Sequence, residues 1–502
     1  MATTNASPTF QPTSYNHPPL KNIKIGKKAF ERFVKELSEP EKVISRRKIF
    51  FERFQQAPPL SFRRGQNIVV EPEGFHAETF VPGKPPEVHK NIQYNPSSGV
   101  ELFSGAFFPP FFGRRKTENF TEPFFKMTEK KQNSEPEIKK TQEEVNSKLW
   151  FYNEACANDL VFIRIPRNFK VKEPIEVTYD LISKGSQGLI SQIYILAEQN
   201  AQATIFLSKV SQGIKQEKQD RKNKNMLYVS DDIRVIAHPG SDVEIVTLQH
   251  LDSDAVAIQR RQAQVKRSSR VSWIDICLGS GYTQSQVVSD LREEGSETAI
   301  TVLYFGTARQ RFDVYTAAHH HAPHTKSDIM TKGVVSHQAK AVSRGHIHIG
   351  KNAFGASGYE KQDVLLLSDE AEADAIPHLT INNHDVQCSH GSTIGHIDEE
   401  KIFYLKSRGI DEKTAKQLII EGYFTPVISK YCRAHTKPLV EEALKQALHG
   451  RGNREIGSDE RREGQGHRKA TKAQEGGRDV KGWQMESDRN NKEGLPTIFK
   501  NA

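Results

Sequence analysis

Two side chains able to bind a soft or borderline metal, Cys388 and His390, stand two residues apart in the stretch from Pro377 to Ile410, PHLTINNHDVQCSHGSTIGHIDEEKIFYLKSRGI. Val386, Cys388 and His390 alternate with polar residues. An extended strand would carry all three on one face, with the thiol and the imidazole about 7 Å apart along the chain. Such a pair can share a metal ion. Gly391 follows, where a bend or a close backbone approach would call for a residue without a side chain. On spacing alone the commoner outcome is a buried cysteine behaving as a small hydrophobe beside a hydrogen-bonded histidine.

A second group of possible ligands is the run His319-His320-His321-Ala322-Pro323-His324. On a strand, His319 and His321 share a face, His320 points away and Pro323 ends the strand. With Asp328 as the nearest acidic neighbour in sequence, the run reads as a solvated strand end in preference to a metal site. His346 and His348 alternate with Ile347 and Ile349. If the isoleucines face the core, the histidines face an outer polar surface.

Other chemistry is missing. The sequence contains no GxxxxGK[ST], no GxSxG and no HExxH, so the chain brings no phosphate cradle of its own and any ATP would be hydrolysed by a partner. Cys156, Cys277, Cys388 and Cys432 are scattered without a CxxC pair, which fits neither a disulfide framework nor a zinc ribbon and suits a reducing compartment. The net charge of +9 is spread among interspersed acids. No aromatic platform accompanies it, which argues against nucleic acid as the main partner. The first twenty residues lack an apolar core and arginine, and no run reaches the length of a membrane span. The expectation is a soluble, cytoplasmic protein.

The elements that position these residues change character along the chain. Residues 1–20 read as a disordered lead-in, and 21–149 as a helical and irregular region. There Phe30, Phe33, Val34 and Leu37 form one helical stripe, and Ser38-Glu39-Pro40-Glu41 resembles a capping box for a second helix. Between Pro58 and Glu144, segments such as GAFFPPFFGRRK fit no periodic template and read as irregular chain packed on the next domain. From 150 to 397 the period becomes two: Val161, Ile163 and Ile165; Ile175, Val177, Tyr179 and Leu181; Ile300, Val302 and Tyr304. Short strands without crossover helices leave an antiparallel sandwich or barrel and a stacked β-helix both open.

From 398 to 449 the pattern is helical again. Asp398 suits an N-cap and Gly409 the C′ position, and Asp411 caps a second helix whose Ala415, Leu418, Ile419 and Tyr423 form a stripe. A third helix follows Pro438, and such helices could close the open end of a β-helix. Residues 450–502, rich in glycine and in both charge signs, read as a disordered tail.

The run DVQCSHGSTIGHIDEEKIFYLKSRGI closely resembles the C-terminal signature of SufD proteins, in the SufB/SufD family of iron–sulfur cluster assembly. The resemblance extends through LLLSDEAEADAIPHL and, more loosely, to NEACANDLVFIRIP. SufB proteins usually read EHEATTS where this chain has Ser389-His390-Gly391-Ser392-Thr393, and carry a cluster-related cysteine near the position of Gln362. Both departures favour the SufD branch.

The resemblance implies a mainly β fold, a right-handed parallel β-helix core flanked by N-terminal and C-terminal α-helical regions. It implies a non-catalytic scaffold subunit in a hetero-oligomer with a SufB-like paralogue and the SufC ATPase. A transient iron–sulfur cluster would form at the SufB interface beside His390, with Cys388 next to it. SufC would dock on the C-terminal helices around Phe403, Tyr404, Arg408 and Gly409. A SufB-like cluster-holding subunit and a β-helix carbohydrate-active enzyme are the rival readings.

Overall fold

The computed structural model describes residues 27–36, 39, 41–57, 87–94, 100–105, 147–182, 187–211 and 227–450. The elements begin with α1 (Lys27–Glu36), α2 (Glu41–Gln56), β1 (Glu87–Gln93), β2 (Glu101–Gly105) and α3 (Ser147–Cys156). Next come β3 (Asp159–Ile165), β4 (Ile175–Ile182), β5 (Gln187–Ala197), β6 (Gln202–Ser211), β7 (Leu227–Ala237), β8 (Asp242–Leu251), β9 (Val256–Val265) and β10 (Arg270–Gly279). They continue with β11 (Tyr282–Leu291), β12 (Glu297–Gly306), β13 (Arg311–His320), β14 (Lys326–Val335), β15 (Lys340–Ile349), β16 (Ala356–Leu366), β17 (Glu372–Ile381) and β18 (Val386–His396). Three helices, α4 (Glu399–Ser407), α5 (Glu412–Tyr431) and α6 (Lys437–Gly450), follow.

From β3 onward the chain steps alternately between two nine-stranded sheets, odd strands in one and even strands in the other. Each strand runs parallel to the one two places earlier, as in β10 with β8 and β13 with β11. The result is a β-solenoid of about 8 turns. At its N-terminal end β1 and β2 add antiparallel to β4 and β3. These two strands lie in the segment that lacks sequence periodicity, a correction to its reading as irregular chain. The Ser38 capping box, the lead-in and the tail lie outside the described residues.

Successive coils are locked at one corner by residues in the left-handed region. Asn168, Asn200, Gly240, Ser268, Gly295, His324 and Gly355 all have φ between 50° and 73°. Each donates its N–H to a carbonyl of the next coil, as Asn200 does to Pro239 at 3.0 Å and Ser268 to Glu294 at 3.0 Å. At Gly240 a Cβ would lie 2.2 Å from Asn200 Oδ1, so a larger residue there requires the Asn200 side chain to shift.

Inward residues fill the solenoid with Val, Ile, Leu and Ala, from Val161 and Ile163 to Ile347 and Ile349. Several buried charges in the interior are paired. Arg261 pairs with Asp275 at 2.9 Å, and Thr247 Oγ1 donates to the same carboxylate at 2.6 Å. Lys209, pushed down to about 7 by burial, pairs with Asp231 and donates to Ser191 Oγ at 2.8 Å. Such pairing is what makes a buried charge tolerable.

Outside, Phe30, Phe33, Phe50, Phe51 and Phe54 pack with Tyr152 against Tyr228, Val256 and Ile258 of the odd sheet. Arg47 clamps this layer with two bonds to Glu39 (2.6 and 2.8 Å) and donates to the Ala155 and Ala157 carbonyls at 3.1 and 2.9 Å. Helices α5 and α6 lie on the flank of the even sheet. Ile420, Phe424, Val427, Ile428, Val440 and Leu444 pack on Phe206, Val246, Ile274, Ile276 and Leu303. They therefore cover a side of the solenoid and leave its last coil uncovered, against the expectation of an end cap. Within α5 the buried face is Ala415, Ile420, Phe424, Val427 and Ile428, and Leu418 is exposed. Apolar residues occur on more than one side of this helix, and the sheet it meets decides which of them are buried.

Two interior positions yield tests. A Cβ on Gly333 would sit 2.0 Å from Tyr304 Cζ, and the Tyr304 ring is itself fixed by stacking on Phe312 at 5.5 Å. Gly333→Ala is expected to lower unfolding free energy by about 1–3 kcal/mol in chemical denaturation. Glu360, fully buried on β16, has its carboxyl pushed up from 4.5 to about 7 by burial. Above the unfolded value the folded chain retains a proton that the unfolded chain has shed. This contribution to stability is complete below pH 4.5 and is lost as the pH rises through about 7. Glu360→Gln should therefore flatten the fall in melting temperature between pH 5 and pH 8; an unaltered pH profile would contradict the assignment.

Candidate functional site

The last coil, β17 with β18, pairs on one side only among the described residues. In β16 the inward residues are Ala356, Gly358, Glu360, Gln362, Val364 and Leu366. Parallel register carries that face onto Val386, Cys388, His390, Ser392, Ile394 and His396 of β18, so Cys388 lies opposite Gly358 and His390 opposite Glu360. The shared face expected of Cys388 and His390 is thus present, and it is the inner face of the solenoid at its uncovered end.

The two residues differ in environment. Cys388 is half-buried against the core, its sulfur 3.2 Å from the position a Gly358 Cβ would take. Burial, and then the Glu360 carboxyl, push its thiol up to about 11, so it is a thiol at neutral pH and a poor ligand until something draws off its proton. His390 is exposed. A Cβ at Gly391 would meet no atom within 4 Å, and its φ is not in the left-handed region. The expected need for glycine there is not met.

Beneath His390 lies a residue that local spacing does not reveal. Glu360 Oε1 accepts from Gln362 Nε2 at 2.5 Å, while Oε2 is buried without a hydrogen-bond partner. The acid fills space left open by Gly345, where a Cβ would fall 1.4 Å from Oε1. A buried acid with an unmet oxygen, its carboxyl pushed up to about 7 by burial, thus lies one coil below an exposed imidazole. The signal for it was a Glu-x-Gln pair at inward parity in the preceding coil.

The remaining thiols do not join the site. Cys156 packs under the N-terminal helices, Cys432 ends α5 against the even sheet, and both are held protonated by burial, Cys432 at about 12. Cys277 faces the solenoid interior on β10, four even strands from β18, or roughly 19 Å at the usual strand spacing.

The histidine run divides as its parity predicts. His320 turns inward, with Thr325 Oγ1 at 2.8 Å and Ser327 Oγ at 2.9 Å, and burial holds it down to about 3. His319, His346 and His348 face outward, but they are not solvated: His319 is 6% exposed and His348 4%. Nor is Asp328 their acidic neighbour, since it accepts from Lys430 and Tyr431 of α5. Asp290 lies beside His319 instead, in register on the adjacent strand.

On the C-terminal helices, Asp398 caps α4 by accepting from the Glu400 and Lys401 N–H groups, and Gly409 at φ 84° ends it. Ile402 is buried, whereas Phe403 and Tyr404 are 73% and 57% exposed, with the Arg408 guanidinium 5.2 Å above the Tyr404 ring. No helix among the described residues is long and apolar enough to cross a membrane.

Residues 181–423 match the family model described as SUF system FeS cluster assembly, SufBD core domain. The chain is also similar to proteins named iron-sulfur cluster assembly SufBD family protein from Staphylococcus epidermidis, Staphylococcus saprophyticus and Staphylococcus aureus. Each is 26% identical over 280 residues, which is 56% of this chain. The alignment spans 58% of the length of each relative. The matched segment contains most of the solenoid, the terminal coil with Cys388 and His390, and the first C-terminal helix. Over that segment, somewhat less than half of its length, the chain is similar to the SufBD core domain of the SUF iron–sulfur cluster assembly system.

Proposed function

We propose that the chain is a SufD-like, non-catalytic scaffold subunit for iron–sulfur cluster assembly, acting in a hetero-oligomer with a SufB-like paralogue and the SufC ATPase. The observation that carries this reading is the uncovered terminal coil, with His390 exposed on its inner face and one free sheet edge on each of β17 and β18. Open strand edges in a folded chain invite another sheet. A paralogue built on the same solenoid would continue both sheets and close the interior.

A transient cluster, as cargo, would sit at that junction. One imidazole and one protonated thiol do not hold a cluster, which takes several thiolates. His390 would supply or orient one ligand, Cys388 would stand beside it, and the paralogue would supply the thiolates. The dispersal of Cys156, Cys277 and Cys432 supports this SufD-like role over a SufB-like one. The exposed Phe403 and Tyr404, with Arg408 and the Gly409 turn, suit a docking surface for the ATPase, whose nucleotide chemistry this chain does not share.

His390→Ala in the co-expressed complex is expected to reduce cluster assembly at least roughly ten-fold, read from iron and sulfide content, with the melting temperature of the isolated chain unchanged because the side chain is exposed. Wild-type cluster yield in the variant complex would remove His390 from the site.

A further inference from the structure

We propose that Asp290, His319 and His321 form a binding site for one divalent first-row transition-metal ion on the outer face of the odd sheet, separate from the terminal coil. Asp290 of β11 and His319 of β13 are register partners, and His321 is the first residue beyond β13. His319 Nδ1 lies 2.9 Å and His321 Nε2 3.7 Å from Asp290 Oδ1. One ligand atom from each residue falls within 4.8 Å of the other two.

His321 Nε2 points to an ion more directly than the clustering does. It is shut off from solvent and makes no hydrogen bond. Its 3.7 Å separation from Asp290 Oδ1 is too long for one. Donors sharing a tetrahedral ion at about 2.1 Å lie roughly 3.4 Å apart, so small side-chain rotations would bring all three atoms onto one centre. Asp290 is itself 6% exposed, and a buried carboxylate gains from a cation. Arg292 donates to its other oxygen, Oδ2, at 3.0 Å and orients Oδ1 toward the two histidines.

Further imidazoles surround the cluster. The rings of His346 and His348 each lie 6.1 Å from that of His319. They are held by Thr380 at 3.0 Å from His346 Nε2 and Asn382 at 3.3 Å from His348 Nε2. Two imidazoles and one carboxylate suit Zn²⁺, Fe²⁺ or Co²⁺ and do not suit Mg²⁺ or Ca²⁺, which take oxygen.

The test is titration of the full-length chain, free of any polyhistidine tag and stripped with chelator, with Co²⁺ followed by visible absorption and then displacement with Zn²⁺. One Co²⁺ per chain is expected, with affinity reduced at least roughly ten-fold in His321→Gln and in Asp290→Asn and unchanged in His390→Ala. His321 is partly exposed, so its variant should keep the wild-type circular dichroism and still be informative if Asp290→Asn misfolds. No Co²⁺ binding by the wild type, undiminished binding in His321→Gln, or loss of binding in His390→Ala would each overturn the proposal.

Discussion

A parallel solenoid satisfies its backbone only through the coils before and after, and every structural feature of this chain answers to that constraint. The interior strands have hydrogen-bonding partners on both sides. At the first coil β1 and β2 turn antiparallel and cover the starting edges. At the last coil, among the described residues, no such strands are present, and β17 and β18 present open edges together with an inner face that has lost its lid. Backbone groups left in that state are a template for pairing. The residues placed there by register, Cys388 and His390, are the ones whose chemistry the sequence singles out.

The same constraint governs what can be buried. Because side chains one coil apart stack directly, a large residue in one coil requires a small one in the next. Tyr304 lies over Gly333 in this way, and across the interior the Glu360 carboxyl fills the space left by Gly345 of the opposite sheet. Buried charge is met across the interior, with Lys209 of one sheet pairing with Asp231 of the other and Arg261 with Asp275 in the same way. On the outer face, stacking brings Asp290, His319 and His348 into one row, where separate coils contribute to a single cluster.

Features confined to one strand or one helix were legible in the sequence. The alternation that puts Cys388 and His390 on one face, the parity that turns His320 inward, and the caps Asp398, Gly409 and Asp411 all depend on neighbours within a few residues. Features that depend on stacking were not. Asp290 meets His319 across an interval of 29 residues, and Glu360 is the register partner of His390 one coil on; Asp328, closer in sequence, lies on the other sheet and faces outward to α5. The stacked turns hide the repeat because Asn168, Asn200, Gly240, Ser268, Gly295 and His324 share a backbone conformation and not a side chain. The family resemblance, and not periodicity, chose the β-helix. Neither source placed the C-terminal helices on the flank, which follows from the apolar outer face of the even sheet formed by Val246, Ile274, Ile276 and Leu303.

The most direct measurement of the central claim, that the terminal coil is completed by a paralogue, is co-expression of this chain with the SufB-like protein and SufC ATPase of the same organism. Purification through this chain would be followed by mass determination by light scattering. The account predicts one stable complex containing all three proteins. Recovery of this chain alone, with both partners folded and present, would contradict it.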